Sequence, residues 1–408
     1  MKRDNPKKSI LVISQYFYPE QFRINDICTE WVKRGYKVKV LTGIPNYPQG
    51  KYFQGYGLFK KRKEIYQGIE INRIPIIPRG NNLMNLAFNY ISFVVSGYFW
   101  VLLSKMKADF LFIYEVSPMT QALPGIWFAK KSKIPCYLYV TDLWPESIET
   151  VAGVKNKYLL AVINKMVDYI YKRCDKIFTS SDRYIQEIND RGIPLDKLKF
   201  WPQYAEDYYV PLKKESVVRT EIPRDDVFNI IFAGNIGEAQ GLRILPQAAH
   251  LLKKRKIKVR FNIVGDGRYK ETLINLVKDE YVEDMFNFIK KQPSEKIPEF
   301  MAVCDASLIC LAESDLFSKT LPAKVQSTLA CGIPAIISAD GEIQNIINEA
   351  KAGICSNAGD IEGLANNIEM MVHKSPEELL HMSRNALKYY KEHFNKEKLL
   401  EDMDQWFK

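Results

Sequence analysis

Histidine is scarce in this 408-residue chain: His250, His373, His381 and His393 all lie in the second half, on segments that read as lysine-rich solvated helices, and the first half has none. That counts against a Ser-His-Asp or Cys-His enzyme, or a His-liganded metal, built on the N-terminal half. The seven cysteines (Cys28, Cys136, Cys174, Cys304, Cys310, Cys331 and Cys355) include no C-x-x-C pair and no zinc-ligand spacing, so free thiols in a reducing compartment are expected. There is no low-complexity tract, no repeated motif, no Walker loop and no G-x-G-x-x-G. A secretory leader is not expected either, because residues 1–9 (MKRDNPKKS) are polar and the apolar run after them, ILVIS, is too short for one. That run reads as a buried strand.

The chain has the composition of a soluble globular protein, with 47% hydrophobic and 26% charged residues, which excludes disordered, collagen-like and disulfide-framework chains. At roughly 100–200 residues per domain, its length suits two or three domains. Charge divides it: residues 1–200 hold 31 Lys and Arg against 17 Asp and Glu, and the remainder 27 against 31. A basic half draws nucleic acid, an anionic membrane or a phosphorylated substrate, unless its lysines are simply solvated. The stretch 83–104, LMNLAFNYISFVVSGYFWVLLS, has no charge and is long enough to span a bilayer. Its flanks read as parts of one α/β domain and it carries Asn85, Asn89, Ser92 and Ser96, so a buried or membrane-leaning helix is expected.

Strand-length apolar runs alternate with amphipathic segments: SILVIS, a helix over 23–34, YKVKVLTG, IEINRIPI, DFLFIYE, PCYLYVT and DKIFTSS. The rhythm restarts after residue 226 with FNIIFAGN, VRFNIVGDG, ASLICL, PAIISA and AGICS. Such alternation argues for parallel sheets covered on both faces, and two α/β domains in series are the simplest account. Residues 201–226 look like the linker, and one or two helices follow 376.

Ligands of open parallel sheets bind where strands end. Two glycine-bearing strand ends stand out in the second half, FAGNIGEAQG (232–241) and IVGDGR (263–268), where missing Cβ atoms let backbone N–H groups approach phosphate. A third loop brings Lys319 and Lys324 to a helix start, a possible diphosphate clamp. In the first half, Asp142 ends the strand YLYVT, where it suits either a substrate-positioning carboxylate or a helix cap. Upstream, YFYPEQFRIND (16–26) carries Glu20 and, at a helix start, Arg23.

Together YFYPEQFRIND, GYKVKVLTGIPNYPQG, DLWPES, WPQYAED, GNIGEAQGL, VGDGR, LPAKVQSTLACGIPAIIS and DGE (340–342) resemble the GT-B glycosyltransferases of retaining family four, and within them the bacterial fucosamine transferase-like branch of surface-polysaccharide assembly. The resemblance implies an α/β fold of two Rossmann-like doubly wound domains facing each other across a cleft: an acceptor domain (1–205), a nucleotide-sugar domain (206–390) and a terminal helix (391–408) crossing back. It implies retaining transfer of an N-acetylated amino or deoxy sugar from a UDP-sugar to a lipid-diphosphate-linked saccharide of capsule or O-antigen. No metal and no cofactor beyond the donor are implied, and the only D-x-D, Asp402–Asp404, reads as solvated surface. Residue by residue, Gly265, Asp266 and Gly267 correspond to the nucleoside site, Asn235, Gly237 and Gln240 to the diphosphate site, and Asp142 to the catalytic carboxylate.

The sequence departs from the family pattern at several points. The family's paired glutamates fall on Lys319 and Ser327, its diphosphate Arg and Lys on Asn235 and Gln240, and its first-loop glycines on Phe22 and Arg23. Arg23, Arg268, Lys319 and Lys324 are expected to restore the lost positive charge, with Glu20 and Arg23 on the acceptor or diphosphate side and Ser327 meeting the ribose. Residues 51–63, KYFQGYGLFKKRK, mix aromatics with basic residues and, with 83–104, suit an anionic membrane better than nucleic acid. A peripheral protein on the cytoplasmic face of the plasma membrane is expected. The alternatives are a nucleotide-sugar epimerase of the same architecture and a non-catalytic donor-binding subunit.

Overall fold

The computed structural model describes residues 8–80 and 82–407, so most of the polar start at 1–9 lies outside the described residues. Two compact units result, one of residues up to Trp201 together with Asp404 onward, the other of Pro202–Met403. The division falls a few residues before the boundary expected at 205.

The first unit is built on eight strands: β1 (Ser9–Ile13), β2 (Lys37–Gly43), β3 (Lys63–Tyr66), β4 (Ile69–Ile74), β5 (Phe110–Glu115), β6 (Cys136–Val140), β7 (Lys176–Thr179) and β8 (Leu198–Phe200), in the order β3-β4-β2-β1-β5-β6-β7-β8. The second has β9 (Phe228–Asn235), β10 (Val259–Asp266), β11 (Phe286–Ile289), β12 (Ala306–Cys310), β13 (Ala335–Ser338) and β14 (Gly353–Ser356), in the order β11-β10-β9-β12-β13-β14. All neighbours run parallel except β3 and β4, which form an antiparallel hairpin. Both orders reverse direction once, at β1/β5 and at β9/β12. The connections diverge there, and the carboxyl ends of those strands are left uncovered.

The central strands are mostly apolar because helices cover both faces of the sheet; β5, β6 and β12 are buried at every residue. Strands β3, β8 and β11 escaped the sequence reading. Each is short, half-exposed and at a sheet edge, where burial on one face or less leaves no apolar run to read.

The helix Leu83–Leu103 buries Asn89, Phe93, Gly97 and Val101, four residues in steps of four, against the first unit. A Cβ at Gly97 would fall 2.4 Å from Pro124 Cγ, so glycine sets this close approach to the helix Ala122–Ser132. Lys131 Nζ donates to the carbonyls of Val101 and Leu102 at the helix end. The outer face is apolar and exposed, with Leu83, Met84, Phe88, Ile91, Val95, Tyr98, Phe99 and Leu102 all in solvent. Of the two expectations for this stretch, the buried one is therefore corrected.

In residues 51–63, Tyr52 Oη donates to the Ile76 carbonyl and Tyr56 Oη to Glu64, while Arg62 donates to the Arg73 carbonyl. These groups hold the hairpin together and are not free for a partner. Leu58, Phe59, Lys60 and Lys61 are the exposed tip, with Phe59 96% accessible.

The chain's end belongs to the first unit. Phe407 is buried against Phe110, with ring centroids 4.3 Å apart, and edge-on to Trp31 at 5.5 Å. Asp404, expected to be solvated, instead accepts from Tyr36 Oη at 2.8 Å and Arg34 Nη1 at 3.1 Å. Truncating such an aromatic costs about 3–5 kcal/mol. Phe407→Ala should therefore lower the denaturant midpoint of the first unit's unfolding transition by a matching amount and leave that of the second unlike it unchanged, read by tryptophan fluorescence and by exchange of β9–β14 amides.

Candidate functional site

In the second unit the reversal between β9 and β12 gathers the glycine loops. Gly234 and Gly265 sit side by side in register at φ of +139° and +157°. A Cβ on Gly265 would fall 2.0 Å from the Gly234 carbonyl oxygen, so no side chain fits between them. The Ile236 N–H donates to the Asp266 carbonyl at 2.8 Å and the Tyr269 N–H to the Ile236 carbonyl at 3.0 Å, tying the two strand-end loops together. Asp266 Oδ1 accepts from the Gly267 N–H. Asn235, Asp266 and Arg268 are exposed on this rim, while Gly237 and Gln240 are half-buried.

Lys324 lies beneath the rim, on the first turn of the helix Ala323–Cys331. Its ammonium is 3.9 Å from the centroid of the Phe232 ring and donates to Gln240 Oε1. It would be 3.1 Å from a Cβ at Gly234. Burial pushes its pKa down to about 7, against a small opposing pull from Cys310. The structure thus joins Lys324, Gln240, Gly234 and the end of β12, which fits an anion arriving over the glycines.

The other two residues of the third loop behave differently. Lys319 Nζ pairs with Asp315 Oδ2 at 2.7 Å, back along its own short helix, rather than forming a two-lysine clamp with Lys324. Ser327 is buried, and its hydroxyl donates to the Ala323 carbonyl one turn back. That bond occupies its proton and leaves only its oxygen lone pairs for a ribose hydroxyl.

In the first unit the reversal lies at β1/β5, and Asp142 follows β6 beside it. Asp142 Oδ2 accepts from the Ser117 N–H at 2.8 Å, and the Ser117 hydroxyl accepts from Trp144 Nε1 at 3.0 Å. Asp142 caps no helix; the helix Glu146–Ala152 starts beyond it. Behind it Glu115, at the end of β5, is wholly buried, and burial together with the nearby Asp142 charge holds its carboxyl well above the usual range.

Glu20 is corrected as an acceptor ligand. It is 2% exposed, and its carboxylate accepts from the Asn46 and Tyr47 N–H groups at 2.7 Å each and from the Phe17 N–H at 3.3 Å. Burial raises its pKa to about 7 against those bonds. Its work is to join the loop after β1 to the loop after β2. Arg23 opens the helix Arg23–Lys33, half-buried and close enough to act electrostatically on Tyr139 of β6.

Sequence reasoning missed the residues this joint organises. Tyr16 stacks on Phe22 at 5.2 Å and tilts against Tyr47 at 5.6 Å, and the Arg79 guanidinium lies over Tyr47 at 5.1 Å. Arg79 Nη1 is 3.4 Å from Tyr16 Oη, and its backbone N–H donates to Asn46 Oδ1 at 2.9 Å. Tyr90 acts electrostatically on Arg79 and feels Asp142. Gln15 joins the same region: its Nε2 donates to Asn89 Oδ1 and its backbone N–H to Gln121 Oε1, both at 2.7 Å, and its carbonyl accepts from the Thr42 hydroxyl at 3.1 Å. One signal was readable: Arg79 is the last charge before the uncharged residues 80–104.

Residues 214–389 match the family Glycosyl transferases group 1. Over 346 residues the chain is 25% identical to the putative colanic acid biosynthesis glycosyl transferase WcaI of Escherichia coli, covering 81% of this chain and 83% of that one. Among solved structures, sucrose-phosphate synthase from Thermosynechococcus elongatus superposes with a TM-score of 0.77 at 14% identity, covering 98% of each chain. Anabaena Alr3699/HepE, in complex with UDP and glucose, does so with a TM-score of 0.71 at 15% identity, again over 98% of each. The fold is GT-B.

The depressed pKa of Lys324 makes stability depend on pH. Between about 7 and the unfolded value of 10.5 the unfolded chain binds the extra proton, so the cost of burying the charge is full below pH 7 and fades as pH rises to 10.5. Lys324→Met should therefore melt higher than the wild type at pH 6, with the gap narrowing by pH 9; a gap independent of pH in calorimetric scans would contradict a buried ammonium.

Proposed function

We propose that this chain, a GT-B protein whose second unit belongs to the glycosyl transferases group 1 family, moves a sugar from a UDP-linked donor to a lipid-diphosphate-linked saccharide, with retention and without a metal, in bacterial capsule or O-antigen biosynthesis. The observation that carries the reading is the Lys324 ammonium held under the two side-chain-free strand ends at Gly234 and Gly265. Backbone N–H groups and one cation in a partly dry place suit a diphosphate. UDP is favoured because HepE, with the same fold, is described in complex with UDP and glucose. WcaI is named for colanic acid biosynthesis, which supports polysaccharide assembly. The transferred sugar is taken to be an N-acetylated amino or deoxy sugar, as in the fucosamine transferase-like branch.

In this reaction the bond from the sugar C1 to the UDP oxygen breaks, and the acceptor hydroxyl oxygen bonds to C1 on the same face. The hydroxyl proton passes to the departing diphosphate oxygen. Lys324 stabilises the charge that grows on the diphosphate, and the Asp142 carboxyl lies on the side where positive charge grows on the sugar. Lys319 and Ser327 stand where the family has glutamates, so binding rests on Lys324, Gln240 and the rim residues Asn235, Gly237, Asp266, Gly267 and Arg268. Arg23 adds charge on the acceptor side.

The enzyme works at the cytoplasmic face of the plasma membrane. The exposed apolar face of the helix Leu83–Leu103 and the Phe59 tip, flanked by Lys60, Lys61 and Lys105, support peripheral attachment to an anionic bilayer. The four buried residues along its inner side, from Asn89 to Val101, favour a helix lying on the surface over one that crosses it.

Calorimetric titration with UDP, GDP, ADP and dTDP without magnesium tests the donor. UDP alone should bind at micromolar concentration, and at pH 8 its binding should take up a proton on Lys324, seen as a heat that changes with the buffer's ionisation enthalpy. That dependence should vanish in Lys324→Ala, with the dissociation constant raised at least tenfold; no binding of any nucleotide refutes the donor reading. Asp142→Asn should cut turnover by more than a hundredfold with UDP affinity near wild type. Turnover within twofold of wild type would make Asp142 structural.

A further inference from the structure

Arg79 is a cation without an anion. The residue is half-buried, no carboxylate among the described residues lies within ion-pair distance of it, and its neighbours are the rings and hydroxyls of Tyr16, Tyr47 and Tyr90. Its backbone is pinned by Asn46, whose own N–H is held by Glu20, so the side chain is fixed in place by a rigid joint and does not wander at a loop tip. Taking a guanidinium out of water with no opposite charge is costly, and aromatic faces recover only part of that cost. Burial works against the charge, but a guanidinium keeps its proton at any ordinary pH, so the group stays ionised. Tyr16 is 1% exposed, and burial pushes its phenol far above the usual range, so it stays a neutral O–H that can donate. The arrangement is a fork of guanidinium N–H groups with phenol donors beside it, the geometry that planar or tetrahedral oxyanions take.

The position of Tyr90 narrows the ligand. Tyr90 lies on the helix Leu83–Leu103 between Phe88 and Ile91, both of which are exposed on its apolar face. It also feels both Arg79 and Asp142. One helix therefore presents hydrocarbon-compatible surface on its outside and an anion site on its inside, within a residue or two. A free soluble anion has no use for the first; a phosphorylated amphiphile uses both.

We propose that Arg79, with Tyr16, Tyr47 and Tyr90, forms a phosphoryl-binding site that takes the diphosphate of a lipid-linked acceptor while the lipid chain follows the exposed face of Leu83–Leu103. The assignment rests on the glycosyl-transfer reading for the word acceptor, but not for the binding itself. It replaces Glu20, whose oxygens are already engaged, as the anchor on the acceptor side.

The test is co-sedimentation of the full chain, without nucleotide, on phosphatidylcholine vesicles with and without farnesyl diphosphate, and on phosphatidylserine vesicles of equal charge. The wild type should bind the diphosphate-bearing vesicles at least tenfold more tightly than either control. Arg79→Gln should lose that preference while keeping its UDP affinity and its residual binding to phosphatidylserine vesicles, and Arg79→Lys should keep part of it. Should Arg79→Gln not fold, Tyr90→Phe serves instead, with an expected loss of about threefold. Competition by inorganic pyrophosphate would show that the site reads phosphate alone; preference without competition would show that it needs the lipid as well, and both outcomes support the site. An Arg79→Gln or Tyr90→Phe protein that keeps the full preference overturns it. Because the readout needs no sugar donor, failure to bind UDP would sink the transfer reading and leave this result standing.

Discussion

A parallel sheet whose strand order reverses must leave a gap at the carboxyl ends of the strands beside the reversal, because the helices that follow them go to opposite faces. Both sheets of this molecule reverse once, at β1/β5 and β9/β12, and both gaps are filled in the same way, by a half-buried cation resting on an aromatic ring. Lys324 lies over Phe232 and Arg79 over Tyr47. Neither has a carboxylate partner among the described residues. In a molecule that pairs many of its other buried charges, as Arg73 is paired with Glu64 at 2.8 Å, two exceptions at the two topologically open positions are best explained by ligands that bring the missing charge.

The two cations are tuned differently, and the difference follows from their chemistry. A lysine is a point charge whose pKa yields to burial, so Lys324 falls to about 7 and waits near half-protonation for an anion. An arginine does not yield, so Arg79 remains charged at the expense of local stability and must be held by its surroundings. The surroundings are visible: Glu20 draws the Asn46 and Tyr47 N–H groups together, and Asn46 then fixes the Arg79 backbone. A buried carboxylate that touches no ligand is thereby what positions the residue that does.

Period and burial explain what could be read from the chain alone. Strands β1, β5, β6, β9, β10 and β12 are central, largely buried on both faces and therefore rich in apolar residues, whereas β3, β8 and β11 lie at edges and carry no such run. Glycine loops were legible because Gly234 and Gly265 meet backbone to backbone, a constraint that only glycine meets. Asp142 was legible as a carboxylate at a strand end. Arg79, Tyr16, Tyr47 and Tyr90 were not, since they come from four separate loops and helices and only the fold brings them together. The burial of Glu20 was not legible for a related reason: a polar residue in a motif can be engaged by the backbone, here by three N–H groups.

The helix Leu83–Leu103 combines an exposed apolar face with specific inward contacts. A core helix would bury its wide face, yet Phe88, Ile91, Val95 and Phe99 are exposed. A lone span would have no reason to place Asn89 inward, where it accepts from Gln15 Nε2 and donates to the Ile77 carbonyl, or Gly97 where only a glycine lets it close on Pro124. Both inward contacts fix the rotation of the helix about its axis, and that rotation also turns Tyr90 toward Arg79. Any force that seats the outer face therefore acts on the same helix that carries Tyr90, so the proposed attachment to a bilayer and the proposed capture of a phosphorylated lipid would both follow from one packing arrangement.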